Sequence, residues 1–292
     1  MESLRIAMAE IEPLAQELDP VYMPLEFATG RVLPAVVATA AFTTILYVAA
    51  FPLVSNRLIP GDASDKEVLR KRRQLSYMTT NCITNLIIGL LGCYYEYGFL
   101  PQNPTMADRV QGCDDWYIFS AIQIGFQVWS IFMGTFFVEE QMTMIFHHMG
   151  CICVASMCCF LHNGYRYWTS YYFGVYELSS VPLAFMNAFK HNKEWITQYP
   201  DLYLAIRMIF AVVFLTVRIV MLLFRMPYVR DVNLFPYLMT NEHWFLRCFM
   251  FAVGASSTWL CSLQYYWGYL VITGIYKQFF VKKRKADSKK DQ

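Results

Sequence analysis

The sequence predicts an all-α membrane protein, a polytopic bundle of about seven transmembrane helices. Hydrophobic residues make up 57% of the 292 residues and charged residues only 16%, whereas roughly a quarter of a soluble domain is charged. The apolar residues come in blocks of about 20, the length that crosses the hydrocarbon core of a bilayer. Lys and Arg cluster between these blocks, which is typical of the loops of membrane proteins.

The apolar blocks predict seven spans in chain order, at about 34–54, 76–99, 116–138, 142–161, 167–189, 203–224 and 246–276. The fifth is the least hydrophobic, but six or eight spans would break the alternation of basic and non-basic loops. We therefore divide the chain into an N-terminal segment, the first span with its basic loop, a main transmembrane domain and a basic tail, at 1–33, 34–69, 70–280 and 281–292.

The distribution of Lys and Arg predicts the orientation of the bundle. Six basic residues follow the first span, two follow the fifth and seven lie in the tail, fifteen altogether, against six on the opposite side. Because basic loops stay in the cytosol, we expect a lumenal N-terminus and a cytosolic C-terminus. Residues 1–31 are acidic and mixed and do not form a cleavable signal peptide, so the first span is expected to direct insertion.

The tail ends in Lys289-Lys290-Asp291-Gln292. A lysine pair at this position resembles the di-lysine retrieval signal of endoplasmic-reticulum membrane proteins, which coat proteins recognise. The simpler alternative is a basic tail attracted to anionic lipid. We favour retrieval and expect a multi-pass protein of the endoplasmic-reticulum membrane.

A histidine pair, His147-His148, is the main candidate for a catalytic site. It lies one to two turns into the fourth span, roughly 8–10 Å from the cytosolic face at about 1.5 Å per residue. Ionisable residues at such depth are costly and usually functional. Adjacent residues of a helix also point about 100° apart, so one packing contact does not readily satisfy both.

Further polar residues are predicted at a similar depth. Asn81 and Asn85 share one face of the second span, Arg207 opens the sixth span and Gln264 lies in the cytosolic half of the seventh. Together they indicate a cavity open to the cytosol that binds a lipid or an acyl chain. The alternative for the amides, including Gln123 and Gln127, is hydrogen bonding between helices.

Two opposite charges are predicted to meet near the middle of the membrane. Glu177 lies near the centre of the fifth span and Arg218 just beyond the centre of the sixth. Because these spans run antiparallel, we expect a Glu177–Arg218 ion pair that faces the bundle interior, either as part of a lipid site or as a structural pair.

The remaining composition excludes several classes of protein. The nine cysteines lie mostly inside apolar segments and are interpreted as small packing residues, so no metal and no cofactor is expected. Nucleic acid is not an expected partner, because the basic clusters flank spans. A fatty-acid elongase needs a His-x-x-His-His box, and here Met144 stands three residues before His147. A di-metal desaturase needs more than the five histidines present.

The motifs resemble those of the TLC-domain family, which includes ceramide synthases, translocon-associated membrane proteins and non-synthase relatives. The matching core is GFQVWSIFMGTFFVEEQMTMIFHHMG, followed by YELSSVPLAFMNAF, within roughly residues 70–280. By this resemblance, His147 or His148 would act as the base or acyl acceptor of an N-acyltransferase that joins an acyl-CoA co-substrate to a sphingoid amine. However, Tyr176-Glu177-Leu178-Ser179-Ser180 replaces the His-Asp-x-Ser-Asp run of the synthases. It looks like the non-synthase branch, implicated in phospholipid composition and membrane fluidity.

We therefore predict a membrane protein of lipid homeostasis whose partners are membrane lipids. The alternatives are a ceramide-synthase-like N-acyltransferase and a non-enzymatic trafficking or scaffold protein. The sequence leaves open whether the protein is a homodimer.

Overall fold

The computed structural model describes residues 25–99, 116–160, 166–229 and 244–278, and these residues are mostly helical. Their longer α-helices are numbered here in chain order, with bounds α1 Ala28–Leu58, α2 Lys66–Gly98, α3 Tyr117–Val138, α4 Met142–Phe160, α5 Arg166–Tyr172, α6 Ser180–His191, α7 Lys193–Gln198, α8 Pro200–Arg225 and α9 Trp244–Tyr276. One helical turn, Leu25–Phe27, leads into α1. Several features considered above lie outside the described residues, namely most of the N-terminal segment, Cys113 and the Lys289-Lys290 tail.

Four of the described helices are long and apolar enough to cross a bilayer: α1, α3, α4 and α8. They correspond to the first, third, fourth and sixth expected spans, and α4 agrees with its predicted bounds to within one residue. The helices α2 and α9 have 33 residues each, roughly 50 Å at 1.5 Å per residue, but they carry more polar and aromatic side chains. The Gly and Ser residues of α9 do not interrupt it.

The fifth expected span is not one continuous helix. It is divided into α5, a 3₁₀ segment Val175–Ser179 and α6. At the break, Gly174 meets Gly92 of α2 so closely that an added Cβ on Gly92 would stand 2.5 Å from the Cα of Gly174. Two residues without a Cβ are needed for the backbones to approach this closely. The contact between Gly92 and Gly174 fixes the position of the break against α2.

The basic segment expected after the first span is largely helical, since α2 begins ten residues before the expected second span. Lys66 begins α2, because the side chain of Asp65 accepts a hydrogen bond from the backbone N–H of Glu67 and caps the helix. Buried Arg72 then donates to the carbonyl oxygens of Ile59 and Gly61. The basic side chains therefore lie on the first turns of a helix that packs against the end of α1.

The helices pack so that α3 lies between α1 and α4, and α4 lies against α9. Helix α2 packs against the 3₁₀ segment and α6, and α6 packs against α8. The broken segment therefore has α2 on one side and α8 on the other. The space enclosed by α3, α4, the broken segment, α8 and α9 contains the site described next.

Candidate functional site

A cavity of about 240 Å³ lies inside the helix bundle. Its walls come from α3, α4, the broken segment, α8 and α9, while α2 contributes none of the described lining residues. Most of the wall is apolar. Its polar lining includes Gln123, His147, Glu177, Arg218 and Gln264, together with the hydroxyl residues Thr169, Tyr172, Tyr176, Ser257 and Thr258.

The cavity is elongated along the helix axes. The lining residues of α4 run from His147 to Cys158, a rise of about 16 Å at 1.5 Å per residue. Helix α9 runs antiparallel, because the ring of His147 contacts Trp267 and Gly150 faces Leu260. His147 and Gln264 therefore lie toward one end, here called the polar end, and Met157, Trp168 and Val253 form the other end.

The predicted Glu177–Arg218 ion pair is present in the structure. Arg218 Nη2 lies 3.6 Å from Glu177 Oε2, with 8% and 13% of the two side chains exposed. Arg218 Nε also donates to Ser179 Oγ at 2.6 Å, and Nη2 donates to Ser180 Oγ at 3.1 Å. Its Nη1 donates to Gln264 Oε1 at 3.4 Å. The charge of Arg218 is thus balanced by Glu177, and each of its three nitrogens donates to a protein oxygen.

Irregular backbone on both sides of the ion pair positions it. The 3₁₀ segment carries Glu177, and a π-helical turn, Leu215–Val220, carries Arg218 in α8. Such turns break the regular ladder and are frequent at functional sites. Side chains then satisfy the carbonyl oxygens at the break: Arg218 Nη2 donates to Tyr176 O at 3.2 Å, and Gln123 Nε2 donates to Phe173 O at 3.2 Å. Gln123 also donates to Glu177 Oε1 at 3.1 Å.

The two histidines of the pair have different surroundings. His147 lies on the cavity wall, with Nε2 3.7 Å from Cys151 Sγ and with its ring against Trp267. Its buried Nδ1 has no hydrogen-bond partner in the described part of the chain. His148 points away from the cavity, and its Nε2 lies 3.2 Å from Glu140 Oε2.

The partner of His148 is held by the short link between α3 and α4. Glu139 adopts a left-handed conformation with φ 57° and ends α3. The next residue, Glu140, folds back so that its carboxylate lies over Gly134, 2.6 Å from where a Cβ there would stand. Tyr77 of α2 donates to the same carboxylate oxygen at 3.1 Å. His148, Glu140 and Tyr77 therefore form a polar cluster outside the cavity that joins α2 and α4 to the link between α3 and α4.

Four of the eight candidate site residues meet in the cavity, namely His147, Glu177, Arg218 and Gln264. The other four do not line it, and they are His148, Asn81, Asn85 and Arg207. The Oδ1 atoms of Asn81 and Asn85 are buried without a hydrogen-bond partner among the described residues. Arg207 stacks over Tyr203 instead, with 5.7 Å from its guanidinium carbon to the ring centroid.

The structure contains a second ion pair, between Glu96 and Arg225, that the sequence patterns did not predict. Glu96, at the end of α2, pairs with Arg225 of α8 and accepts from Ser170 Oγ at 2.7 Å. Arg225 also lies over the ring of Tyr171, 4.0 Å from its centroid. Arg225 is one of the six basic residues that we counted on the lumenal side in predicting the orientation, but it lies in α8. The signal that could have revealed the pair is a single carboxylate in the apolar run around Glu96.

The sequence model of the TLC domain matches residues 75–273. The chain belongs to the TLC-domain family. No curated protein and no solved structure matches the chain significantly.

The match shows which part of this TLC-domain protein carries the site. All lining residues of the cavity, from Gln123 to Gln264, fall within the matched region, whereas α1 precedes it. The family is generally linked to lipid metabolism. In the described residues, no group of three or more His, Cys, Asp and Glu side chains is arranged to hold a metal ion.

Proposed function

We propose that this TLC-domain protein acts in lipid homeostasis by binding a lipid chain in the cavity between α4, the broken segment, α8 and α9. The observation that carries the proposal is an elongated, mostly apolar cavity whose charged side chains among the described residues, Glu177 and Arg218, are paired with each other. The paired charges of Glu177 and Arg218 let the polar end persist among apolar walls, since an unpaired charge would be far more costly.

We also propose seven spans, a lumenal N-terminus and a location in the endoplasmic reticulum, with the polar end of the cavity toward the cytosol. The contact between Tyr77 and Glu140 supports this orientation, because it brings the basic first turns of α2 to the end of the bundle where α4 begins. Cysteine-accessibility mapping of intact microsomes tests it. A cysteine placed at the exposed Lys66 should react with an impermeant reagent from outside the microsomes, and protection until detergent is added would contradict the orientation.

The proposed function is tested by lipidomics of cells that express the wild type, His147→Ala/His148→Ala or a control. A matched control is Phe146→Ala, because Phe146 is the neighbouring residue and 51% of it is exposed on the outer surface of α4. The wild type and the control should shift the chain composition of phospholipids or sphingolipids equally, and the double variant should not. The proposal is wrong if expression of the wild type changes no lipid class.

A second candidate function is acyl-CoA-dependent N-acyl transfer. One observation favours it. Among the described residues, Nδ1 of His147 has no hydrogen-bond partner, and Nε2 makes a weak contact with Cys151 Sγ at 3.7 Å. A neutral imidazole in this position suits a general base. Membranes containing the protein would then consume acyl-CoA with a sphingoid base, and His147→Ala would abolish the activity. A scaffold protein would tolerate the same substitution in every assay.

A further inference from the structure

We propose that the cavity selects a single-chain lipid whose head is uncharged and forms hydrogen bonds, such as a fatty alcohol or a monoacylglycerol, and that it rejects anionic lipids. The inference rests on the proposed lipid-binding function and specifies its ligand. Three features of the cavity lead to it: its charge balance, the hydrogen-bonding groups that remain available, and its size.

The charge balance of the polar end excludes an anionic head. Among the described lining residues Arg218 is the cation, and Glu177 lies beside it. Each guanidinium nitrogen of Arg218 already donates to a protein oxygen, to Ser179, Gln264, Ser180 and the Tyr176 carbonyl. A carboxylate or phosphate head would find no available positive charge and would lie close to the Glu177 carboxylate. Burial of an unpaired charge in such a site is strongly unfavourable.

Three polar atoms of cavity-lining residues have no hydrogen-bond partner in the described part of the chain: the indole N–H of Trp168 at the far end, the hydroxyl group of Tyr176 and Nδ1 of His147. The hydroxyl group of Tyr176 is buried and has no hydrogen-bond partner in residues 25–99, 116–160, 166–229 and 244–278, and Tyr176 as a whole is only 7% exposed. The Nδ1 atom of His147 is in the same situation. Both residues line the cavity. Buried polar atoms in proteins are nearly always satisfied, so their hydrogen-bonding capacity fits a head that both donates and accepts, as an alcohol or an ester-alcohol does.

The size of the cavity indicates one chain. Its volume of about 240 Å³ is below the roughly 300–1,000 Å³ of sites for drug-sized ligands. Its length of about 16 Å is close to half of the roughly 30 Å hydrocarbon core of a bilayer, which is the depth of one leaflet. The slot therefore has room for one extended chain, with its tail against Met157, Trp168 and Val253.

The test is a competition experiment on the purified full-length protein in detergent. Radiolabelled dodecanol is the probe, and the competitors have the same chain with different heads: dodecanol, monododecanoylglycerol, dodecanoate, dodecyl phosphate and dodecylammonium. The two uncharged competitors should displace the probe at concentrations at least about tenfold lower than the charged ones, a factor that corresponds to 1.4 kcal/mol. Equal competition by dodecyl phosphate would overturn the selectivity while leaving lipid binding intact. Failure of every ligand to bind would overturn the proposed function as well.

Two variants sharpen the test. Glu177→Gln frees the charge of Arg218, so dodecanoate and dodecyl phosphate should gain about tenfold or more relative to dodecanol. The matched control is Glu140→Gln, which removes a carboxylate outside the cavity and should keep the wild-type order of ligands. If Glu177→Gln does not fold, Tyr176→Phe serves instead: removal of one hydroxyl should weaken dodecanol binding by about three- to tenfold, as expected for one hydrogen bond. Unchanged dodecanol affinity in Tyr176→Phe would contradict the assignment of the head-group end.

Discussion

Replacement of Arg218 by methionine would leave the Glu177 carboxylate buried without its cation. The reverse change, Glu177→Gln, would leave the guanidinium group without its anion. In both cases a charge stays in a site where at most 13% of either side chain is exposed. We therefore expect each single variant to be clearly destabilised, and the double variant to lose less stability than the sum of the two single losses.

The expected size follows from the burial of the pair. Removal of one partner of a buried ion pair costs about 3–5 kcal/mol, because the remaining charge is uncompensated. In the double variant Glu177→Gln/Arg218→Met no charge remains, so its loss should be smaller than the sum of the two single losses by about 2 kcal/mol, within the range of coupling energies for residues in contact. Ser179 and Gln264 lose their hydrogen bonds to Arg218 in both Arg218 variants, so that loss cancels in the cycle.

The assay is reversible unfolding of the purified protein in mixed micelles by increasing mole fractions of sodium dodecyl sulfate, followed by near-ultraviolet circular dichroism. The chain offers a matched control in Glu67 and Arg70, an ion pair at 2.8 Å with 54% and 45% of the side chains exposed. The same cycle there should give a coupling of about 0.5 kcal/mol or less. Strictly additive losses at Glu177 and Arg218 would refute the reasoning that the two charges stabilise one another.

Three further predictions concern the packing around the broken segment. Gly174→Ala should clearly lower the thermal midpoint of unfolding, because the new Cβ would stand 2.1 Å from the Ser170 carbonyl oxygen. The control Gly98→Ala should leave the midpoint unchanged or raise it, because a Cβ there meets nothing within 4 Å. Equal midpoints for the two variants would show that the close backbone contact is not required. Glu96→Gln should cost about 3 kcal/mol, as expected when a buried ion pair loses one partner, and a loss below about 1 kcal/mol in the same unfolding assay would contradict the pairing with α8. Tyr171→Phe should cost about 1 kcal/mol, because its hydroxyl group donates to a backbone carbonyl of α8 at 2.7 Å; no measurable loss would mean that this hydrogen bond is replaced.

The general features of the fold could be predicted from the sequence because they depend on local patterns. Apolar blocks of sufficient length predict helices at the right places, and α4 is the closest agreement. The Glu177–Arg218 pair could be predicted as well, since two opposite charges in neighbouring antiparallel spans have few other partners. The seven-span topology, the orientation and the location in the cell are not tested by the structure and remain predictions.

The remaining features depend on contacts between distant parts of the chain, which local patterns do not encode. The break at Gly174 arises where the backbone of α2 approaches it, and nothing near Gly174 in the sequence names Gly92 as the neighbour. The pairing of His148 with Glu140 likewise depends on the left-handed residue Glu139, whose conformation is unusual for a non-glycine residue. The common depth of Asn81 and Asn85 with His147 was expected to indicate one cavity, but depth alone does not determine which way a helix is rotated.

In the proposed seven-span topology, the broken fifth segment has a consequence for how the chain enters a membrane. In hydrocarbon, backbone carbonyl groups that have left the helical ladder need partners, and here Tyr176 O depends on Arg218 of α8, a helix that is synthesised later. Arg218 alone is equally ill-suited to lipid. Neither element is therefore stable in the bilayer before the other arrives. We expect the two to leave the insertion machinery together as a helical pair. The broken segment would then wait for α8 instead of entering the bilayer as soon as it is synthesised.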